Sequence, residues 1–143
     1  MHSKLINSNP KTFVVVFETG DEVPAGLKKF AQDHKLDASH FSGIGAFSDI
    51  TLGFFNLATR DYNHTQLKEQ VEVLSLLGNV TLEEEETKIH AHVVVGKADG
   101  TAHGGHLIQA HVRPTLELVV EESPEHLRRK FNTHLGLALI TTD

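Results

Sequence analysis

The 143-residue chain has no cysteine and no tryptophan, and only one methionine and one tyrosine. Without cysteine there is no disulfide framework and no thiolate metal site, which leaves histidine and carboxylates as the protein ligands for any metal. No stretch approaches the ~20 apolar residues that a membrane helix needs. Met1-His2-Ser3-Lys4 runs into a short mixed segment that lacks the apolar core of a signal peptide. A soluble, cytoplasmic protein with no membrane partner is the expectation. Positive charge is scarce as well: 13 Lys and Arg stand against 19 Asp and Glu, a formal net charge of −6. Phosphate binding depends on clustered cations that release counterions, and the cations here are scattered. The one basic run, Arg128-Arg129-Lys130, follows Glu125 and reads as a solvated helix face. Direct DNA binding is therefore not expected. The length suits one domain, residues 1–143, with a core over about 13–141.

Histidine is plentiful, with 11 residues, and three of them form a pattern. In Ile89-His90-Ala91-His92-Val93-Val94-Val95 the strand period puts both imidazoles on one face and Ala91, Val93 and Val95 on the other. Gly96-Lys97-Ala98-Asp99-Gly100 carries turn residues, so a hairpin into His103-Gly104-Gly105-His106-Leu107 follows. A turn centred near Asp99 sets His92 across from His106, where Cβ atoms of opposed residues are ~4.5–5.5 Å apart, with His90 diagonal to both. Three neutral imidazoles converging on one point suit zinc or another divalent ion, and three protein ligands with an open fourth position mark a reactive site. His103, three residues from His106, falls on the opposite face unless Gly104-Gly105 holds a bulge that reverses the parity. The competing reading is a set of hydrogen-bonded or solvent-facing histidines on an exposed sheet face.

The order of elements reads as α+β: a single domain with a mixed, largely antiparallel sheet, one packed helix and a short C-terminal helix. Thr12–Phe17 is a strand. Val23, Leu27, Phe30 and Ala31 make a helical stripe with Asp21 as its cap. Residues 38–55 contain two β runs broken at Gly43-Ile44-Gly45, Asp61–Gln66 is a polar turn, and Gln70–Leu77 is a strand. The run Glu83-Glu84-Glu85-Glu86 reads as an exposed, extended loop, because like charges repel. Thr115–Val120 is a strand, Ser123-Pro124-Glu125 has the order of a helix start, and Leu137–Ile140 is a last strand. Simple alternation sets Glu72 beside Leu74 and Leu76, where a carboxylate needs a partner. It is either a hydrogen-bonded structural residue or a catalytic general acid/base near the metal. His111, before Arg113-Pro114, is a candidate for a pocket or subunit interface.

Gly43-Ile44-Gly45-Ala46, Glu72–Asn79, His90-Ala91-His92, Asp99-Gly100 and Gly104-Gly105-His106-Leu107, in this order, resemble the plant-and-prokaryote-conserved (PPC) domain, and the likeness runs from about Phe13 to the end of the chain. Stand-alone prokaryotic members commonly carry a DNA-binding label and are trimeric; plant members follow an AT-hook, which is absent here. The resemblance implies a PPC-like fold and a homotrimer. The His-x-His, acidic-Gly turn and Gly-Gly-His series is also similar, more distantly, to the zinc site of acetolactate decarboxylase. That resemblance assigns His90, His92 and His106 as ligands, although the turn is a few residues longer here, and no residue of this chain is matched to that enzyme's catalytic arginine. Two function classes follow. One is a metal-dependent protein that binds or transforms a small anionic metabolite, a lyase or hydrolase if it is an enzyme. The other is an assembly or regulatory module with a structural metal that contacts DNA only indirectly.

Overall fold

Phe13, Val15 and Phe17 alternate with Val14 and Val16 and are all buried, as a strand with one face on a core requires. The computed structural model describes residues 1–123 and 125–142. Along the chain come β1 (His2–Ser8), β2 (Lys11–Glu18), α1 (Val23–His34), β3 (Ser39–Asn56), β4 (Asp61–Leu67), β5 (Val71–Glu83), β6 (Glu86–Gly96), β7 (Ala102–Glu122), β8 (Arg128–Asn132) and β9 (Leu137–Ile140). All pairings are antiparallel except β5 with β8, so the sheet is mixed and largely antiparallel, as expected.

The long strand β3 pairs with β5 and β7, and β6 pairs with the same two strands. These four strands close into a ring and so leave no edge open among themselves. Ile50, Leu52, Val73, Val93, Val95 and Leu107 from the ring join Leu27, Phe30 and Ala31 of α1 in one apolar core. The helix starts where the Glu22 side chain accepts the Ala25 N–H at 2.6 Å and stops at Lys35, whose left-handed backbone turns its N–H back to Ala31 and Gln32. The expected cap, Asp21, is instead used one step earlier, accepting the Glu18 N–H at 2.8 Å. Among the described residues no helix is long and apolar enough to cross a membrane.

Residues 38–55 are not broken at Gly43-Ile44-Gly45: β3 runs through them as one strand and only its register against β5 and β7 shifts there. Three further segments differ from their reading in the sequence. Asp61–Gln66 is not a turn but most of β4, because each of its residues finds a partner along Thr51–Asn56 of β3; pairing overrides a polar composition. The acidic run is not extended either. Glu83 pairs with Glu86, and Glu84 and Glu85, at φ 48° and 65°, make a two-residue turn with both central residues left-handed, the hairpin geometry that matches strand twist. The C-terminal helix is absent over Arg128–Asn132, which is strand β8 in a hairpin with β9. Pro124, on which the helix start was read, lies outside the described residues. Asn132 Oδ1 accepts the His134 and Leu135 N–H groups, both at 3.0 Å, and Gly136 has φ 75°. That is turn chemistry, not helix propagation.

Candidate metal centre

Asp99 organises the turn between β6 and β7. Its carboxylate accepts the Thr101 N–H at 2.9 Å and hydroxyl at 2.6 Å, while the Gly100 N–H bonds the Lys97 carbonyl at 2.9 Å. Gly96 then faces Ala102, and the ladder runs without a bulge to His92 opposite His106. Two residues on, His90 points to the same side. One ligand nitrogen from each of the three lies within 4.8 Å of the others, and the ring centroids are 5.1 to 5.6 Å apart. His103 faces Val95 across the ladder; Val95 is fully buried on the other face, so His103 stays out of the cluster.

The cluster lines a cavity of about 600 Å³ together with a mostly apolar wall of Phe54, Phe55, Tyr62, Leu137, Ala138 and Leu139, and Glu83, Lys88 and Arg129 are its charged residues. The Tyr62 ring stacks on His106 at 4.9 Å and 26°. Gly53, opposite His106 on β3, makes this possible, since a Cβ there would come within 2.7 Å of the Tyr62 ring. From β8, Arg129 reaches across. Nε donates to Thr81 Oγ1 at 2.9 Å and Nη1 to the Ala138 carbonyl at 2.9 Å, while Nη2 donates to Asn79 Oδ1 at 3.0 Å and to His90 Nδ1 at 3.1 Å.

Burial, reinforced by the neighbouring His90, His92 and Arg129, pushes the His106 imidazole from 6.5 down to about 4. Burial, Arg129 and His92 lower His90 as well. Both rings are therefore neutral at physiological pH, the state that ligates a metal. Burial likewise lowers Arg129, which remains a cation, as arginine does in proteins, and raises the Tyr62 hydroxyl. His106 Nδ1 is buried with no hydrogen-bond partner, an orphaned nitrogen of the kind that an ion or polar ligand satisfies. Three imidazoles without thiolate fit zinc or a similar borderline ion, and poorly fit the oxygen-seeking calcium and magnesium.

Of the residues singled out in the sequence, His90, His92 and His106 are brought together, and Glu72 is not. A bulge between Val73 and Ser75 changes the parity of β5, so Glu72 and Leu74 are exposed while Leu76 is buried. Glu72 pairs with Ala46 and Gly96 and lines a separate outer depression with Ile44 and Pro114. His111 also lies elsewhere, its Nδ1 2.8 Å from Asp49 Oδ1. The sequence reading missed Arg129 and Tyr62. Asn132 and Gly136 between two short β-favourable runs were the available signal for the hairpin that carries Arg129.

Residues 6–124 match the model of the Plants and Prokaryotes Conserved (PCC) domain. Among solved structures, one from Bacteroides thetaiotaomicron described as a "putative DNA binding protein" superposes with TM-score 0.92 at 31% identity, over 98% of this chain and 96% of that one. A PPC protein of Pyrococcus horikoshii gives 0.86 at 30% identity over 98% and 94%. A protein of Archaeoglobus fulgidus described as metal-containing gives 0.85 at 30% over 98% and 96%. Acetolactate decarboxylase of Bacillus subtilis, at 11% identity and TM-score 0.60 over 81% of this chain and 54% of that one, shares the fold. The bifunctional protein GlmU of Synechococcus sp. is 31% identical over 109 residues, which are 75% of this chain but 16% of that protein; the chain spans about a sixth of the length of the curated relatives it matches.

Proposed function

The chain belongs to the Plants and Prokaryotes Conserved domain family, and on that premise we propose that it is a metal-binding member that handles a small anionic metabolite. His90, His92 and His106 hold one divalent ion, zinc by the chemistry of the donors. The convergence of these three on an apolar cavity that also receives Arg129 carries the reading, and the metal-containing neighbour from Archaeoglobus fulgidus supports it. Bound there, the ion would supply Lewis acidity toward an oxygen of the ligand. The protein's own contribution is to keep His90 and His106 neutral, to fix His106 beneath Tyr62, to exclude water with the phenyl and leucyl walls, and to present one guanidinium to an anion. If chemistry follows binding, it is a metal-dependent lyase or hydrolase step. Among the described residues no carboxylate is hydrogen-bonded to these three histidines, although Glu83 lines the same cavity, and Glu72 lines a separate depression.

The test is metal content. The purified protein reconstituted with zinc is expected to retain about one ion per chain, and His92→Ala to lose it, because two imidazoles compete poorly with water. Absence of metal from the wild-type protein after reconstitution at pH 7.5 would sink the reading.

Assembly belongs to the same proposal. Ile44, Leu74, Leu77, Val94 and Val119 are exposed on the outer face of the ring, a larger apolar surface than a small monomer leaves wet. A homotrimer covers it, and light scattering that returned a monomer across micromolar concentrations would remove that part. The second reading, an assembly or regulatory module with a structural metal, draws on the same apolar face and on the DNA-binding description of the Bacteroides neighbour. With net charge −6 such a module reaches DNA through a partner. Fluorescence anisotropy with a labelled duplex at physiological salt is expected to show no submicromolar binding.

A further inference from the structure

Nη2 of Arg129 lies 3.1 Å from His90 Nδ1. Arginine donates hydrogen bonds and cannot accept them, so Nδ1 is the acceptor and the neutral ring carries its proton on Nε2. A neutral imidazole has one lone pair free for bonding, and here Arg129 takes it. As the chain stands, His90 offers a metal nothing, even though its ring is grouped with His92 and His106. The guanidinium also brings a positive charge to the place where a divalent cation would sit. Arg129 is tied to Asn79, Thr81 and Ala138, but the ladder that joins its strand to the ring is short, Leu82 with Arg128 and Glu83 with Arg129, supplemented by the Leu82 N–H to the Leu127 carbonyl and by Arg128 to the exposed Glu85. It can shift without breaking the ladder that holds the histidines.

We propose that Arg129 gates the three-histidine centre: a divalent ion acquires His90 only when the guanidinium releases it, and the released N–H then receives an anionic oxygen beside the ion. The inference rests on the metal reading above. Metal and anion binding are consequently coupled, since an anion gives the displaced guanidinium a partner and screens it from the cation, and the coupling is reciprocal. The alternative is a doubly deprotonated His90 shared between ion and arginine, and it makes the opposite forecast, because removing Arg129 would then cost metal affinity.

Zinc affinity of the full chain, measured by competition with a chromophoric chelator, decides between them. Arg129→Met is expected to bind zinc about tenfold more tightly than the wild type, the equivalent of one hydrogen bond to a charged group. Added acetate is expected to tighten zinc binding severalfold in the wild type and not in Arg129→Met. Weaker or unchanged zinc binding in Arg129→Met, or the same acetate effect in both, overturns the gate. A second measurement does not depend on the variant's fold: long-range 1H–15N spectra of the metal-free wild type should show His90 as the Nε2–H tautomer, and an Nδ1–H tautomer overturns the proposal. His92→Ala separates the two claims. If it keeps wild-type zinc affinity, the three-histidine centre fails; if it loses zinc while Arg129→Met behaves as wild type, only the gate fails.

Discussion

Two hairpins meet at the cavity and are built in opposite ways. The β6–β7 hairpin is part of the closed ring: β6 is paired along most of its length with β5, and β7 with β3, while Ala91, Val93 and Val95 are sunk in the core. The β8–β9 hairpin has strands of five and four residues and exposes Phe131, Leu139 and Ile140. Outside its own ladder it is held by two backbone pairs to β5, by the bonds of Arg129, by Arg128 Nη1 donating to Glu85 Oε1 at 2.6 Å, and by Arg60 Nη1 donating to the Thr133 carbonyl at 3.4 Å. The first carries the three imidazoles on a closed ladder. The second carries Arg129 and part of the apolar cover on a short, loosely joined pair of strands. The histidine cluster thus sits on the part with more pairing and burial, and Arg129 on the part with less, which weaker pairing makes the easier to open.

The comparison breaks most directly with a charge on each hairpin. Val95→Asp buries a carboxylate at a position with 0% exposure and is expected to cost upwards of ~4 kcal/mol or prevent folding. Leu139→Asp, at 39% exposure, should stay within ~0.5 kcal/mol. Urea midpoints measure both, and similar losses would mean the hairpins are equally integral.

Acid tests the first hairpin alone. His106 titrates near 6.5 when unfolded and about 4 when folded. Below pH 6.5 the unfolded chain therefore takes up a proton that the folded one refuses, and the contribution of this ring to metal-free stability falls as pH drops from about 6.5 to about 4 and then levels off, while the lowered carboxylates of Glu18, Asp21, Asp49 and Glu122 take over the decline in stronger acid. One such proton contributes at most ~1.4 kcal/mol per pH unit, less where water screens it. His90 acts in the same direction. His106→Phe should flatten the slope, and an unchanged slope in that variant would show that the burial of this ring is not its source.

On the second hairpin, Thr81→Val removes the buried hydroxyl that accepts from Arg129 Nε. The expected cost is about 1–3 kcal/mol, with faster amide exchange over residues 128–140 and none over β6. Smallest is the turn that opens β6. Glu84 and Glu85 are both left-handed, and Glu84→Asn with Glu85→Gly should stabilise by roughly 0.5–1 kcal/mol with the fold unchanged, since those residues suit that geometry. A loss of stability would mean that the ion pair between Glu85 and Arg128, which links the turn to β8, outweighs the backbone strain.

The histidine hairpin was legible in the sequence because every determinant is local: the His-x-His period, a turn set by Asp99 and Gly100, and a ladder without a bulge that carries the offset from Gly96–Ala102 to His92–His106. The helical stripe of Val23, Leu27, Phe30 and Ala31 was legible for the same reason. Glu72 was misplaced because one extra residue in β5 turns the strand over, and a bulge leaves no mark in the alternation until its partner strand is known. Arg129 was taken for part of a solvated helix because charge and a Ser-Pro-Glu start suggest one, whereas the outcome depended on β8 finding β5 some 45 residues earlier in the chain. The sequence by itself determined which three histidines face one way, that no thiolate is available to a metal, and which family the motifs resemble, since those follow from residue type and short spacing. Only the tertiary structure decided that Tyr62 lies on His106, that Arg129 occupies the lone pair of His90, and that Glu72 stands apart. These are contacts between segments distant in sequence, and they exist only once the ring has closed.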